Sequence, residues 1–281
     1  MSRTVNQKEQ AETFLGLHHG ENIFVLPNAW DVASAMIFIN EGYSAIGTTS
    51  AGIAASLGYS DGQNMSFREN LEVIERIVSS TSLPVSADFE SGYADDANSV
   101  AMNALELIDV GVAGLNIEDA PGTSDSMLLD ISHQQDKIRA IRETADNAGV
   151  RIVINARTDT YLVSDSSGNC LVESVERGNA YVDAGADCVF IPDTGNMLEA
   201  EVKTLAAEIQ VPINVIAGAS MPCLDELQSL GVSRVSLGPR PMRAALGLLR
   251  EIAREISLKG SFELMSDESI SYNDVNSWFT D

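Results

Sequence analysis

The sequence predicts an α/β fold, a closed (β/α)8 barrel of the TIM type. Its 281 residues are the usual length of one such barrel. Eight times along the chain, a short apolar run is followed by a polar or Gly-containing loop and a helical stretch. The runs are nearly continuous in apolar residues, which is typical of parallel strands covered on both faces. An open doubly wound sheet is the alternative, but no GxGxxG motif follows the first run.

Each predicted strand is separated from the next by enough residues for one helix and two loops. Several of these helices end in similar sequences, among them "ELIDVGVAG" and "YVDAGADCV". A Gly at such a position can adopt the left-handed conformation that ends a helix, and the chain then enters the next strand. The predicted strands are residues 23–31, 43–50, 83–90, 113–119, 151–159, 187–193, 211–218 and 233–239.

The domain organisation follows from the absence of a linker. No stretch is rich enough in Pro, Gly or Ser to separate two domains, so we expect a single barrel domain over residues 1–281. Residues 255–281 follow the last unit and are expected to form a C-terminal helical extension. The apolar residues of this extension, which predict a helix that packs on a neighbouring subunit, are Phe262, Leu264, Trp278 and Phe279.

Composition and charge exclude several kinds of partner. The formal net charge is −24, which argues against binding to nucleic acid or to an anionic membrane surface. No apolar run is long enough to span a bilayer, and the N-terminus has no signal-peptide core. Cys170, Cys188 and Cys223 are widely spaced, as expected for reduced thiols. These features predict a cytoplasmic protein.

Carboxylates follow two neighbouring predicted strands. In a barrel, the active site lies at the carboxyl ends of the strands. Asp88 and Glu90, in "SADFESGYADD", are two residues apart and are expected to share one face of their strand, and Glu118 ends the next strand. A divalent cation would relieve their repulsion, and oxygen ligands favour Mg²⁺ or Mn²⁺. Three further strand-end aspartates are interpreted as N-caps of the following helices: Asp31, Asp159 and Asp193.

Other strand-end residues suit an anionic substrate. Arg157 is a basic residue among the acidic strand ends, and is interpreted as a substrate-carboxylate fork or a structural counter-ion. The loop "TTSAG" offers backbone N–H groups beside small side chains, a pattern suited to anion binding. None of the three His residues ends a predicted strand, so we do not expect a His-centred base.

Four motifs together, "GTTSAGIAASLGYSDG", "SADFESGYADD", "GLNIED" and "NARTD", resemble the isocitrate lyase and phosphoenolpyruvate mutase superfamily. The resemblance extends over residues 24–249. It implies a (β/α)8 barrel whose last helix is swapped between subunits, in homodimers that often pair into homotetramers. It also implies a Mg²⁺ cofactor, with Mn²⁺ as an alternative, and a small carboxylic acid as substrate.

The resemblance further assigns roles to individual residues. Asp88 matches the direct metal ligand, and Arg157 matches the substrate-binding arginine. The residues whose positions match those that hold the waters of the metal are Asp61, Glu90 and Glu118. The residues that match substrate-binding positions are Thr49, Ser50, Ala51 and Asn214. We therefore predict Arg157, Asp61 and Glu118 as the catalytic residues.

The chemistry implied is that of a Mg²⁺-dependent lyase, which cleaves or decarboxylates a small 2-oxo or 2-hydroxy carboxylic acid through a metal-stabilised enolate. Phosphoenolpyruvate mutase or phosphonopyruvate hydrolase chemistry, which breaks a P–C bond, is one alternative. A non-catalytic protein that binds a 2-oxo acid is another. The segment 120–134, expected to form a lid, has no Lys-Cys-Gly-His motif, and Pro192 stands where the phosphonate branch has His. The sequence is therefore interpreted as a divergent branch.

Overall fold

Nine short parallel strands form one sheet in the computed structural model, which describes residues 3–120, 127–163, 169–193, 195, 197–266 and 269–279. The strands are β1 (Phe24–Leu26), β2 (Asn28–Ala29), β3 (Ile46–Thr48), β4 (Val85–Asp88), β5 (Gly114–Glu118), β6 (Val153–Arg157), β7 (Cys188–Phe190), β8 (Ile213–Ile216) and β9 (Arg234–Ser236). Their order in the sheet is β1-β9-β8-β7-β6-β5-β4-β3-β2.

The first predicted strand is divided between two partners. β1 pairs with β9, whereas β2 pairs with β3, and Pro27 separates them. Because proline has no N–H, it cannot donate to a continuous ladder, and the chain changes partner at this residue. β1 and β2 thus act as one strand that joins the two edges of the sheet. The predicted (β/α)8 barrel is therefore confirmed.

Helices follow the strands around the barrel. Within the described part of residues 1–238, α1 (Arg3–His18) precedes β1, and the later helices are α2 (Val32–Asn40), α3 (Ser50–Leu57), α4 (Phe67–Ser79), α5 (Ala97–Val110), α6 (Ile131–Ala148), α7 (Thr160–Val163), α8 (Cys170–Asp183), α9 (Glu199–Glu208) and α10 (Leu224–Ser229). Asp31 caps α2 in a capping box with Ser34, as predicted. α5 and α6 end at Gly111 and Gly149, both left-handed, so the predicted glycine caps are confirmed there.

The interior of the barrel contains buried polar side chains. Asn116 and Asn155 are register partners, and Asn155 Nδ2 donates to Asn116 Oδ1 at 2.7 Å. Arg234, fully buried on β9, has its Nη1 3.4 Å from His18 Nε2 of α1. α1 also packs Phe14 against the start of β5. This helix therefore closes the end of the barrel opposite the carboxyl ends of the strands.

Residues 1–238 and 239–281 form two compact units. The second contains α11 (Arg240–Lys259) and α12 (Tyr272–Ser277). Residue 255, at which the extension was predicted to begin, lies inside α11, and the second unit begins earlier, at Pro239. The assignment of the whole chain to one domain, and the exchange of a helix between subunits, stay predictions. No helix in the described part of the chain has the length and apolar composition needed to cross a bilayer.

Candidate active site

Three of the predicted site residues lie at the carboxyl ends of adjacent strands. Asp88 ends β4, Glu118 ends β5 and Arg157 ends β6. Glu118 and Arg157 are register partners, and Asp88 pairs with Asn116, two residues before Glu118. The barrel thus brings a mixed cluster of charges together at this end, which we call the mouth.

The carboxylate of Asp88 is fixed by the start of α3. Its Oδ2 accepts hydrogen bonds from the N–H and the hydroxyl of Ser50, both at 2.9 Å. Thr49, the N-cap of α3, accepts from Gly52 N at 3.3 Å. The N–H of Ser50, one of those expected to bind an anion, therefore donates to Asp88 instead. Ala51 lies partly buried in the first turn of α3. Within the described residues, no protein donor contacts Asp88 Oδ1.

Arg157 is held by carboxylates on two sides. Its Nε and Nη2 donate to the two oxygens of Asp159 at 2.6 and 2.8 Å, and its Nη1 lies 2.7 Å from Glu118 Oε2. The carboxylate of Asp159 therefore does not act as the predicted helix N-cap. The helix that follows Asp159, α7, has only four residues. The backbone N–H groups of Leu162 and Val163 in this helix donate hydrogen bonds to the main-chain oxygen of Asp159, not to its carboxylate. Asp159 instead orients the guanidinium of Arg157.

Burial and charge act in opposite directions on this ion pair. Burial, followed by the charges of Asp159 and Asp88, raises the pKa of Glu118 well above its usual value, although Arg157 lowers it. Burial would lower the pKa of Arg157, but Asp159 and Glu118 outweigh it and raise the pKa further. Arg157 therefore remains a fixed positive charge in the mouth.

Glu90 does not share a strand face with Asp88, contrary to the period-two expectation. β4 ends at Asp88, and Glu90 has a left-handed backbone with φ of 50°. Its Oε1 accepts from Tyr93 Oη and its Oε2 from Gln63 N, both at 2.6 Å. Burial, together with the charges of Asp88 and Asp61, raises the pKa of Glu90 to about 7, against the lowering effect of these two hydrogen bonds.

Asp61 is exposed and lies in the connection between α3 and α4. Partial desolvation, followed by the charge of Asp88, raises its pKa, while the charge of Arg157 lowers it. Asp61 is thus close enough to the mouth to be coupled to both residues. No local pattern in the sequence distinguishes it, and only the resemblance assigned it to the site.

Two further predicted residues lie on β8 and in the loop after β7. Asn214 is fully buried on β8, where its Nδ2 donates to Ser236 Oγ at 3.3 Å, and its Oδ1 has no partner among the described residues. Asp193 was interpreted as an N-cap, but α9 begins only at Glu199. Its Oδ2 instead accepts from Gly195 N and Met197 N at 2.8 Å and so stabilises the loop after β7.

Sequence reasoning missed Tyr93 and Gln63, which hold Glu90. Tyr93 stands in a quoted motif, three residues after Glu90, and Gln63 immediately follows another, two residues after Asp61; this proximity is the signal that could have found them. His133, as expected, is not at the mouth; its ring contacts the main-chain oxygen of Asp95 at 2.7 Å. The predicted lid, 120–134, lies partly outside the described residues.

The donor set suits a cation with few protein ligands. In the described part of the chain, no three His, Cys, Asp or Glu side chains lie close enough together to hold one metal ion. The four predicted metal residues therefore do not form a cage of direct ligands. Mg²⁺, however, usually takes one or two carboxylates and keeps several of its waters. Asp88 fits the role of a single direct ligand, and its charge acts on the carboxylates of both Asp61 and Glu118.

A (β/α)8 barrel whose charged residues gather at the carboxyl ends of its strands is the architecture of a barrel enzyme. Within that class, the chain matches the family model of phosphoenolpyruvate phosphomutase over residues 14–257, and it belongs to this family of the isocitrate lyase/PEP mutase superfamily. Relatives of named reaction include lyases and mutases, which confirms the prediction of an enzyme of this type.

Individual relatives are similar over most of the chain. An uncharacterized protein of Mycobacterium tuberculosis is 36% identical over 87% of this chain and 89% of its own length. The 2-methylisocitrate lyase of Escherichia coli is 30% identical over 91% of this chain and 88% of its own length. A Burkholderia cenocepacia crystal structure, provisionally classed as a lyase or mutase, has a TM-score of 0.90 at 33% identity and covers 98% of this chain and 97% of that one.

Proposed function

We propose that this protein is a Mg²⁺-dependent lyase, which cleaves or decarboxylates a small 2-oxo or 2-hydroxy carboxylic acid through an enolate. The observation that carries the proposal is the position of Arg157, clamped between Glu118 and Asp159 beside Asp88. The guanidinium of Arg157 can bind a substrate carboxylate, and a metal ion held by Asp88 can bind an oxygen adjacent to that carboxylate.

Arg157 keeps a free edge for the substrate. A guanidinium has five N–H donors. Asp159 takes Nε–H and one N–H of Nη2, and Glu118 takes one N–H of Nη1. One N–H on each of Nη1 and Nη2 remains, and these two donors are available to the oxygens of a substrate carboxylate. Asp159 and Glu118 are therefore expected to orient Arg157 for the substrate rather than compete with it.

The carboxylates of the mouth divide into two roles. Asp88 is the proposed direct ligand, because Ser50 holds Oδ2 and leaves Oδ1 directed elsewhere. Asp61 and Glu118 have raised pKa values and are the carboxylates on which a proton can reside during the reaction. When bound, the cation supplies Lewis-acid stabilisation of the developing enolate oxygen.

Two other functions are alternatives to the proposed lyase activity. P–C bond chemistry is supported by the description of the family model and by relatives named phosphoenolpyruvate phosphomutase and phosphonopyruvate hydrolase. A protein that binds 2-oxo acids without turnover would use the same Asp88 and Arg157. A cytoplasmic location and a homodimer or homotetramer belong to the same proposal, and the wide spacing of the three cysteines supports a reducing compartment.

Calorimetric titration with oxalate, a mimic of the pyruvate enolate, tests the proposal. We expect binding that requires Mg²⁺, that Asp88→Ala abolishes and that Arg157→Ala weakens, while Asp136→Ala, in an exposed ion pair on α6, has no effect. Absence of Mg²⁺-dependent binding in the unmodified protein would contradict the proposal. Turnover of a panel of 2-oxo acids, 2-hydroxy acids and phosphonopyruvate then separates C–C from P–C chemistry, and binding without turnover favours the binding protein.

A further inference from the structure

Three residues with a left-handed backbone conformation are joined by hydrogen bonds beside the mouth. Among the described non-glycine residues, Gln63, Glu90 and Tyr93 have positive φ, of 58°, 50° and 54°. Gln63 is 27 residues before Glu90 and Tyr93 is three residues after it, and Glu90 accepts hydrogen bonds from both Gln63 N and Tyr93 Oη. Each such conformation costs about 1–2 kcal/mol for a residue with a side chain. Strain of this kind persists where surrounding interactions over-determine it, and it clusters at functional sites.

Both carboxylate oxygens of Glu90 are occupied by protein donors. The residue is buried, with 4% of its surface exposed, and both hydrogen bonds are short, at 2.6 Å. Tyr93 Oη also accepts from Asn70 Nδ2 at 3.1 Å, and the same amide group lies 3.3 Å from the main-chain oxygen of Asp88. The carboxylate is therefore directed toward Gln63 and Tyr93, and a chain of polar contacts links it to the backbone of Asp88.

The segment that carries Tyr93 is fixed from outside. Lys137, buried on α6, donates its Nζ to two main-chain oxygens of this segment, each at 3.0 Å. Asn103 Nδ2 of α5 donates to a third, also at 3.0 Å. The residues whose main-chain oxygens are held in this way are Ser91, Ala94 and Gly92. Tyr93 thus projects from a backbone that cannot shift easily, which suits an anchoring role.

We propose that Glu90 and Tyr93 form an anchor that positions the Asp61 loop, residues 60–65, over the mouth. Glu90 holds the amide of Gln63, two residues after Asp61, and Gln63 Nε2 also donates to Ser91 Oγ at 2.6 Å. Glu90 is then a positioning residue that acts through Asp61, rather than a group that holds the waters of the cation. The proposal rests on the proposed function, because it takes Asp61 to serve the bound cation.

The first test removes one hydroxyl. Tyr93→Phe deletes the hydrogen bond to Glu90, and Tyr59→Phe is its matched control, because Tyr59 Oη donates to Glu69 at 2.7 Å on the surface beside the same loop. We expect the Gln63 amide to exchange its hydrogen about tenfold faster in Tyr93→Phe and unchanged in Tyr59→Phe. Unchanged Gln63 exchange in Tyr93→Phe overturns the anchor, whatever the protein binds. If Tyr93→Phe fails to fold, Glu90→Gln serves for the same measurement.

The second test asks whether the anchor acts through Asp61. Oxalate affinity in the presence of Mg²⁺ is measured for Asp61→Asn, Tyr93→Phe and the double variant. We expect each single variant to weaken binding about tenfold and the double variant to be no weaker than Asp61→Asn alone. Losses that multiply would mean that Glu90 acts on the ligand independently, and would overturn the proposal. No binding in the unmodified protein would instead overturn the proposed function, and the exchange experiment alone would then decide the anchor.

Discussion

Glu118 and Arg157 face each other as register partners on β5 and β6, with Arg157 Nη1 2.7 Å from Glu118 Oε2. On its other edge, Arg157 is held by both oxygens of Asp159. This geometry fixes the plane of the guanidinium and therefore the direction in which its remaining N–H groups point. The role of Arg157 depends on its shape as well as its charge.

Arg157→Lys should separate shape from charge. Lysine keeps the positive charge between the two carboxylates, but it cannot form the bidentate fork. We expect Mg²⁺-dependent oxalate binding to weaken about tenfold to a hundredfold, measured by calorimetry. Arg68→Lys, which alters an exposed pair with Glu72, is the control and should leave the affinity unchanged. Equal affinities in all three proteins would show that Arg157 provides charge alone.

The mouth residues that the sequence could predict are those at strand ends. Asp88, Glu118 and Arg157 follow apolar runs, and the barrel places all carboxyl strand ends on one side, so local pattern and fold together predict their meeting. Glu90 could not be placed in this way, because strand alternation stops where the backbone becomes left-handed. Backbone φ depends on contacts such as the hydrogen bond from Gln63 N, which comes from a segment 27 residues earlier in the sequence.

The amino-terminal end of the barrel shows the same limit. Arg234 is the second residue of the predicted strand 233–239, and nothing in the sequence indicates that its side chain turns into the barrel toward His18, more than two hundred residues earlier. Similarly, the first predicted strand is divided at Pro27, because the residues before it pair with β9 and the residues after it pair with β3. Hydrophobic periodicity and composition predict helices and strands, whereas these pairings depend on closure of the barrel.

His18 should make stability sensitive to mild acid. Burial, followed by the charge of Arg234, lowers the pKa of His18 to about 3, so it is neutral in the folded protein. Between this value and the unfolded pKa of about 6.5, the unfolded chain binds the extra proton, and stability falls as the pH falls. From pH 7.5 to 5.0 the contribution of His18 is a loss of about 2 kcal/mol in the free energy of unfolding.

Urea unfolding at these two pH values measures that loss. His18→Gln should reduce the difference between the two pH values by about 2 kcal/mol, because the titrating group is gone. His19→Gln is the matched control, since His19 is exposed, and it should behave like the unmodified protein. If His18→Gln and His19→Gln show the same pH dependence, His18 is not the group responsible.

Asp119 should be structurally essential although it lies next to the site. Its carboxylate is fully buried and accepts from Asp159 N at 2.9 Å, from Tyr181 Oη at 2.7 Å and from Arg177 Nη1 at 3.3 Å. Asp119→Ala leaves Asp159 N and Tyr181 Oη without this acceptor, whereas Arg177 keeps its contacts with Glu173 and with the main-chain oxygen of Leu129. Because each buried donor left unsatisfied costs about 1–3 kcal/mol, we expect the free energy of unfolding to fall by about 2–5 kcal/mol in urea titrations.

The exposed pair of Asp136 and Arg139 is the comparison for Asp119. Asp136→Ala also removes a carboxylate at 3.0 Å from an arginine, but both side chains are largely in solvent. We expect a change of less than about 1 kcal/mol. A similar loss in both variants would mean that burial of the Asp119 network contributes nothing beyond an ordinary surface pair.

Gly114 should tolerate no side chain, because α1 closes the barrel directly against it. A β-carbon at this position would lie 2.7 Å from Phe14 Cε1 and 2.9 Å from the main-chain oxygen of Val153, and the latter cannot move without distorting β6. We expect Gly114→Ala to destabilise the protein by about 1–3 kcal/mol in thermal or urea unfolding. Gly16, within α1, has no atom within 4 Å of its added β-carbon, so Gly16→Ala should instead stabilise the helix by about 0.5–1 kcal/mol. Opposite signs for the two substitutions would support the packing of Phe14 at the start of β5, and a neutral Gly114→Ala would contradict it.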